Sequence, residues 1–280
     1  MRINKFLAKS GVASRRAAEK LILDGRVQVN NAVVRDLATI INESDSVTVD
    51  GKSISVQEEK VYIIMNKPLH CVTTCSDQFG RKTVLDVLKE NYELRTKNSE
   101  NNQSSIINHK SVRVFPVGRL DYDTEGLLIL TNDGEFAKAV THPSSQIKKT
   151  YIARLDRRLN EAELEELRNG VCITHPVTRD ASDTPLHERG THSIQPSMLN
   201  TQHSILNSKK TAPAQIRLVK NLEYEITIHE GRNRQVRKMF AAVGSRVLHL
   251  KRVAIGNLKL GNLKSGEWEV TRRAPTVKDF

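Results

Sequence analysis

Apolar and polar positions change period several times along the chain. Ile3, Phe6, Leu7 and Ser10 fall at helical spacing, with Gly11 as a stop. Ser14 then fits the N-cap of a second helix, whose apolar stripe is Ala17, Ala18, Leu21 and Ile22 and which ends at Gly25. The period then drops to two. Val27 and Val29, then Val33 and Val34, flank Asn30-Asn31, which predicts a β-hairpin. A last strand, Ser46-Val47-Thr48-Val49, closes on Asp50-Gly51, giving an ααβ-type module of about fifty residues with Ser53 to Lys60 as its linker.

Beyond the linker, Val61-Tyr62-Ile63-Ile64-Met65 reads as a buried strand, followed by Asn66-Lys67-Pro68. Lys97 to Ser111 is polar and aperiodic, and is expected to be a mobile surface loop. Strand-rich sequence resumes at Val112. Asn160 to Gly170 is helical by the spacing of Ala162, Leu164 and Leu167, whereas residues 180–210 are again polar and irregular. From Ala214 onward strands alternate around one helix centred on Met239. Strands without regular βαβ alternation predict an α+β fold with a mainly antiparallel sheet, and two domains, 1–58 and 61–280.

Composition narrows the class. A chain with 38% hydrophobic and 27% charged residues is expected to be globular and soluble. No apolar run follows the first residues and none approaches membrane-spanning length, so the expected location is the cytoplasm. Cys71, Cys75 and Cys172 offer no disulfide framework and no second ligand pair for a metal. His175, His187, His192 and His203 lack ligand spacing, so no metal is expected there either.

Charge points to a partner. The formal net charge is +12, and residues 1–35 alone carry +6 while residues 229–273 carry +8. Lys and Arg at such density favour a polyanion, because phosphates drawn to them release condensed counterions. Arg15 and Arg16 follow a helix N-cap, where free amides also attract phosphate. With aromatics at only 4% of the chain, recognition is expected to lean on phosphates rather than on a stacking platform.

The densest chemical signal is the run from Gly118 to Gly134. It is a loop carrying Asp121, Asp123 and Glu125, then Gly126, an apolar stretch and a turn. A carboxylate at the edge of a buried element can be desolvated and paired as catalytic acids are. An ordinary charged surface turn has the same composition. Residue types alone leave both readings open, and do not choose among the three acids.

Two resemblances bear on that choice. Residues 2–50 resemble the S4-like RNA-binding domain through Arg2-Ile3-Asn4-Lys5-Phe6-Leu7, Ala13-Ser14-Arg15-Arg16-Ala17 and Asp24-Gly25-Arg26-Val27-Gln28-Val29-Asn30. Gly118, Arg119, Leu120, Asp121, Thr124, Gly126 and Thr131 resemble the signature of the RNA pseudouridine synthases, in their RsuA/RluB-like branch. Asn66-Lys67-Pro68, Lys149-Thr150-Tyr151, the run Glu230 to Phe240 and Leu250 to Gly256 follow in the branch's order. The two polar inserts look longer than the branch usually has, which leaves loop boundaries and substrate choice open.

The resemblance implies that Asp121 is the catalytic aspartate, Tyr151 the active-site tyrosine, and Arg237 the basic residue that pairs with the aspartate. The implied reaction breaks the C1′–N1 bond of a uridine, turns the base and rejoins it through C5, with no cofactor. The uridine must leave its stack to present these atoms. Arg2, Lys5, Ser14, Arg15, Arg16, Arg26, Arg119, Arg232 and Arg234 are the candidate RNA contacts. The implied partner is ribosomal RNA, a structured stem-loop within an assembling ribosome and preferably of the large subunit, bound by a monomer. An RNA-binding protein that has lost catalysis is the alternative. A glycosidase using Asp121 with Asp123 or Glu125 is disfavoured by the basic surfaces.

Overall fold

The computed structural model describes residues 1–56, 59–90, 113–174 and 208–271. The polar insert at 97–111, most of that at 180–210, and the four histidines 175, 187, 192 and 203 lie outside the described residues. The chain forms two compact units, Met1–Ile147 with Arg252–Phe280, and Lys148–Lys251.

The first unit opens with helices Ile3–Lys9 and Arg15–Leu23, as the spacing predicts. Ser14 caps the second helix, its hydroxyl accepting from Ala17 N at 3.1 Å. Four short strands follow in the order Ala32–Val33, Val27–Val29, Val47–Val49, Lys52–Ile54, with every pairing antiparallel. Asn30 (φ 51°) and Asn31 (φ 67°) make the first turn; both sit in the left-handed region that asparagine tolerates and this hairpin turn requires. Ile3, Leu7, Ala18, Ile22 and Val27 are sealed from solvent and pack with Val47 and Val49 in a core belonging to this module.

One expectation is corrected here. Ser53 and Ile54, assigned to a linker, form a strand with Val47–Val49, in the register Val49↔Lys52. Asp50 (φ 51°) and Gly51 (φ 74°) are a hairpin turn rather than a stop.

The remainder of the first unit is built on two buried antiparallel strands. Tyr62–Lys67 pairs with Glu125–Thr131 from Tyr62↔Thr131 to Lys67↔Gly126, and on its other edge with Trp268–Thr271. Phe115–Val117 also pairs with Glu125–Thr131, and Leu258–Lys259 pairs with the end of Val247–Ile255. All six residues of Tyr62–Lys67 are buried, as are Leu127 to Leu130, which explains why both runs lack alternation. Tyr62, Ile64, Leu127 and Ile129 pack against Phe136 and Val140 of helix Gly134–Thr141. Asp133 caps that helix through Glu135 N and Phe136 N, accepts from the Tyr62 hydroxyl at 2.9 Å, and pairs with Lys60 at 2.8 Å.

In the second unit, Lys149–Leu155, Glu223–Ile228 and Gln215–Lys220 make antiparallel neighbours. Helix Glu161–Asn169 starts in a capping box between Asn160 and Glu163, where the sequence places it. Helix Gln235–Ala242 contains Met239, as expected. The polar stretch 180–210 is not irregular to its end: Ser208–Lys210 is a strand paired with Cys172–Thr174. Val247–Ile255 carries the chain from this unit back into the first. The architecture is thus α+β with antiparallel ladders throughout those pairings.

Gly126 (φ 115°) lies hard against the backbone of Arg252. A β-carbon there would lie 2.2 Å from Arg252 O and 2.6 Å from Arg252 N, both backbone atoms with nowhere to go. Gly126→Ala is therefore expected to lose about 3 kcal/mol, combining overpacking with left-handed strain. Denaturant titration of wild type and variant measures this, and an unchanged midpoint would show that the two strands can separate freely.

Candidate active site

The run that opens at Gly118 forms a loop between strands Phe115–Val117 and Glu125–Thr131. Its backbone is bonded nearly residue by residue. Arg119 O accepts from Arg252 Nη1 at 3.3 Å, and Leu127 O from Arg252 Nε at 2.8 Å. Leu120 O accepts from Thr73 Oγ1 at 2.7 Å, and Leu120 N returns a bond to the same hydroxyl at 3.2 Å. Asp121 O accepts from Thr124 N at 3.1 Å, closing a tight turn over the aspartate. Tyr122 O accepts from His70 N at 2.9 Å, and Thr124 O from Lys67 Nζ at 2.9 Å. Asp121, Asp123 and Glu125 are half-buried, while Arg119 and Tyr122 are exposed.

Two buried cations underlie this loop. Lys67 has no solvent exposure, and its ammonium donates to Pro68 O and Thr124 O, each at 2.9 Å. Burial pulls its pKa down to about 8, with Cys71, Asp121, Asp123 and Glu125 pulling the other way. Asp121 therefore lies in the field of a buried ammonium. Arg252 is 3% exposed and bridges both ends of the loop. Its Nη2 has no hydrogen-bond partner among the described residues.

Both cations stood inside motifs of the sequence, yet neither was singled out as a site residue. The signal that could have found them is a charge embedded in an apolar run, Ile63-Ile64-Met65-Asn66-Lys67 and Arg252-Val253-Ala254-Ile255. A charge there is either at an edge or buried and bonded.

The other two expected catalytic residues belong to the second unit. Tyr151 lies on Lys149–Leu155, 9% exposed, in register with Ile226. Arg237 lies on helix Gln235–Ala242 and donates from Nη1 to Val247 O at 2.9 Å. The loop before that helix is ordered by its own residues. Gln235 Nε2 donates to Glu230 at 2.6 Å, and Arg232 N to Gln235 Oε1 at 2.9 Å. Arg234 occupies the helix N-cap position with φ 51°.

Among the candidate RNA contacts, Arg2, Arg15, Arg16, Arg26, Arg119 and Arg234 are exposed. Several also hold the protein itself: Lys5 pairs with Glu135 at 2.6 Å, Arg26 grips Asp50 through two nitrogens, and Arg232 donates to the carbonyls of Lys209 and Lys210. Ser14 is occupied as a helix cap.

Comparison with known proteins places these features. A family model for RNA pseudouridylate synthase matches residues 61–242, and one for the S4 domain matches residues 1–47. The chain belongs to the RNA pseudouridine synthase family. Among related sequences, an "uncharacterized RNA pseudouridine synthase" of Aquifex aeolicus is 39% identical, over 100% of this chain and 94% of the relative. "Ribosomal large subunit pseudouridine synthase B" of Bacillus subtilis is 36% identical, over 95% of this chain and 90% of its own. A crystal structure of a pseudouridylate synthase superposes with a TM-score of 0.56 at 25% identity, covering 97% of this chain and 96% of that one. As an RNA pseudouridine synthase the protein is an isomerase, and its S4 domain makes RNA its partner class.

Lys67 gives this synthase a measurable pH signature. Its folded value of about 8 lies below the ordinary lysine value of about 10.4, so between the two the unfolded chain holds a proton that the folded chain has released. That difference makes stability rise with pH across the window, and the contribution is lost as pH falls to about 8. Relative to Lys67→Met, the wild type should gain thermal stability from about pH 8 to pH 10 and hold a constant offset below it. Parallel melting curves of the two proteins across that range would refute the assignment.

Proposed function

We propose that this protein converts one uridine of large-subunit ribosomal RNA to pseudouridine, with Asp121 as the catalytic carboxylate. The observation that carries the reading is the loop from Gly118 to Leu127, a pseudouridine synthase signature whose backbone is bonded at Arg119, Leu120, Asp121, Tyr122, Thr124 and Leu127. A carboxylate on so constrained a loop is positioned before substrate arrives. The rRNA assignment is supported by the printed function of the Bacillus subtilis relative.

The reaction needs no net change of atoms. The C1′–N1 bond breaks, the uracil turns, and a C1′–C5 bond forms as the C5 proton leaves and N1 gains one. Asp121 can serve as a nucleophile at the sugar or as a base that takes a sugar proton. Tyr151 provides a ring for the uracil and a phenol for the C5 proton, and Arg237 is the cation that keeps the aspartate charged. Residues 1–58 act as the RNA-binding module and residues 61–280 as the synthase, which works as a cytoplasmic monomer on a stem-loop of an assembling ribosome, without a cofactor.

Incubating the protein with unmodified rRNA transcripts and mapping pseudouridine chemically tests this directly. Wild type should place it at a defined uridine, and Asp121→Asn should lower the rate by about a thousandfold or more. Equal maps from both proteins would refute the catalytic role of Asp121, and product only on small-subunit transcripts would refute the substrate. A second expectation concerns the exposed pair Arg15 and Arg16. Changing both to Gln should weaken binding to the same transcripts and reduce the slope of log affinity against log salt by about two. Filter binding at several salt concentrations reads that slope, and an unchanged value would place the phosphate track elsewhere.

A further inference from the structure

The segment from His70 to Thr83, which follows strand Tyr62–Lys67, contains the most exposed large hydrophobic side chain among the described residues. Phe79 is 71% exposed. A single exposed hydrophobe needs no explanation, but this one is part of a built arrangement. The Arg81 guanidinium lies 5.1 Å from the Phe79 ring centroid, so a cation backs the ring. Asp77 holds both residues. Its carboxylate accepts from Phe79 N at 3.1 Å, from Arg81 N at 2.9 Å, and from Arg81 Nη2 at 2.7 Å. Those bonds from Arg81 depress the Asp77 carboxyl to about 2, so the clasp stays charged at any physiological pH.

The segment is also tied to the loop of Asp121. Thr73 exchanges two hydrogen bonds with Leu120, and His70 N bonds Tyr122 O. The rings of His70 and Tyr122 lie 5.3 Å apart, tilted by 59°, and Tyr122 keeps 45% exposure. Arg81 is held in turn by Asp77, whose carboxylate raises the guanidinium pKa. Val72 N bonds Lys82 O and Val84 N bonds Val72 O, each within 3.1 Å, so the segment is closed at its base. The result is one exposed ring backed by a cation, on a segment hydrogen-bonded through His70 and Thr73 to the loop that carries Asp121 and the exposed Tyr122.

We propose that Phe79 and Arg81, on the segment anchored to the loop of Asp121, form a stacking ledge for one unpaired base of the RNA strand flanking the target uridine. This rests on the reading of Asp121 as the catalytic residue, since that is what makes the neighbouring base the occupant. The chemistry is specific to a nucleotide: an open π-face accepts a base of any sequence, and the adjacent guanidinium serves the base or its phosphate. A chain with only 4% aromatics has no extended platform, but one nucleotide needs one ledge. Extruding a uridine disrupts the stacking of its neighbour, and a protein ring that replaces the lost partner makes extrusion easier.

The experiment compares binding in the Asp121→Asn protein, with and without Phe79→Ala, so that turnover does not enter. The probe is the unmodified rRNA transcript of the mapping assay, together with versions made abasic on the 5′ or the 3′ side of the mapped uridine. Phe79→Ala should weaken binding to the intact transcript about tenfold, and Phe79→Tyr should restore most of it. An abasic site on one side should weaken the parent protein to a similar degree and add little to Phe79→Ala. Independent, multiplying losses on both abasic probes, or an unchanged dissociation constant for Phe79→Ala, would overturn the ledge. The catalytic reading fails separately, if Asp121→Asn still makes pseudouridine. Should no transcript be modified, binding is measured to the large-subunit transcript with the highest affinity and abasic positions are scanned along it; coupling to Phe79 at no position overturns the proposal.

Discussion

The loop bearing Asp121 depends on two cations that have no business in a hydrophobic interior unless something there needs them. Lys67 sits on a strand with all six residues buried, and Arg252 runs beneath the Gly126 backbone. A charge in such a place costs several kcal/mol unless bonded. Here both find backbone carbonyls, at Pro68 and Thr124 for Lys67, and at Arg119 and Leu127 for Arg252. The dependence is mutual. The carbonyls satisfy the cations, and the cations fix the path of the chain between them. Gly126 belongs to the same constraint, because any side chain there would lift the loop off the Arg252 strand.

That arrangement also sets the electrostatics. Burial disfavours the charged Lys67 ammonium, and Asp121, Asp123 and Glu125 all favour it. Three acids share the field, so it cannot by itself choose Asp121 over Asp123 or Glu125. What differs is position. Asp121 heads the turn closed by Thr124 N, directly after the anchored Leu120, whereas Glu125 already belongs to the following strand.

Much of this was legible in the sequence, and the misses have physical reasons. Periodicity located the first two helices, the helix after Asn160 and the buried strand before Lys67, because each has a one-sided or fully apolar pattern. The strand Lys52–Ile54 was missed because Asp50-Gly51 was read as an end, although the same pair makes a two-residue hairpin turn. Ser208–Lys210 carries no apolar signal at all; its pairing to Cys172–Thr174 is backbone hydrogen bonding. Counting cations gave the sign of the partner but not which cations face it. Lys5, Arg26 and Arg232 are engaged with Glu135, Asp50 and backbone carbonyls, a matter of tertiary contacts that spacing cannot register. An average aromatic content likewise hides where the few rings lie, which is how Phe79 escaped notice.

A loop satisfied at so many backbone positions has little freedom to meet its substrate halfway. Its carbonyls at Arg119, Leu120, Asp121, Tyr122, Thr124 and Leu127 already have donors, so reshaping it would break several bonds at once. The partner that deforms must therefore be the RNA. Unstacking a uridine costs a few kcal/mol, and that cost has to be offset by contacts made outside the reacting atoms. In the proposed reading, exposed arginines of the S4 module supply phosphate contacts and the Phe79 ring supplies the replacement stack. On that reading, rigidity at the carboxylate and binding at the periphery would keep the chemistry constant and leave the choice of uridine to the peripheral surfaces.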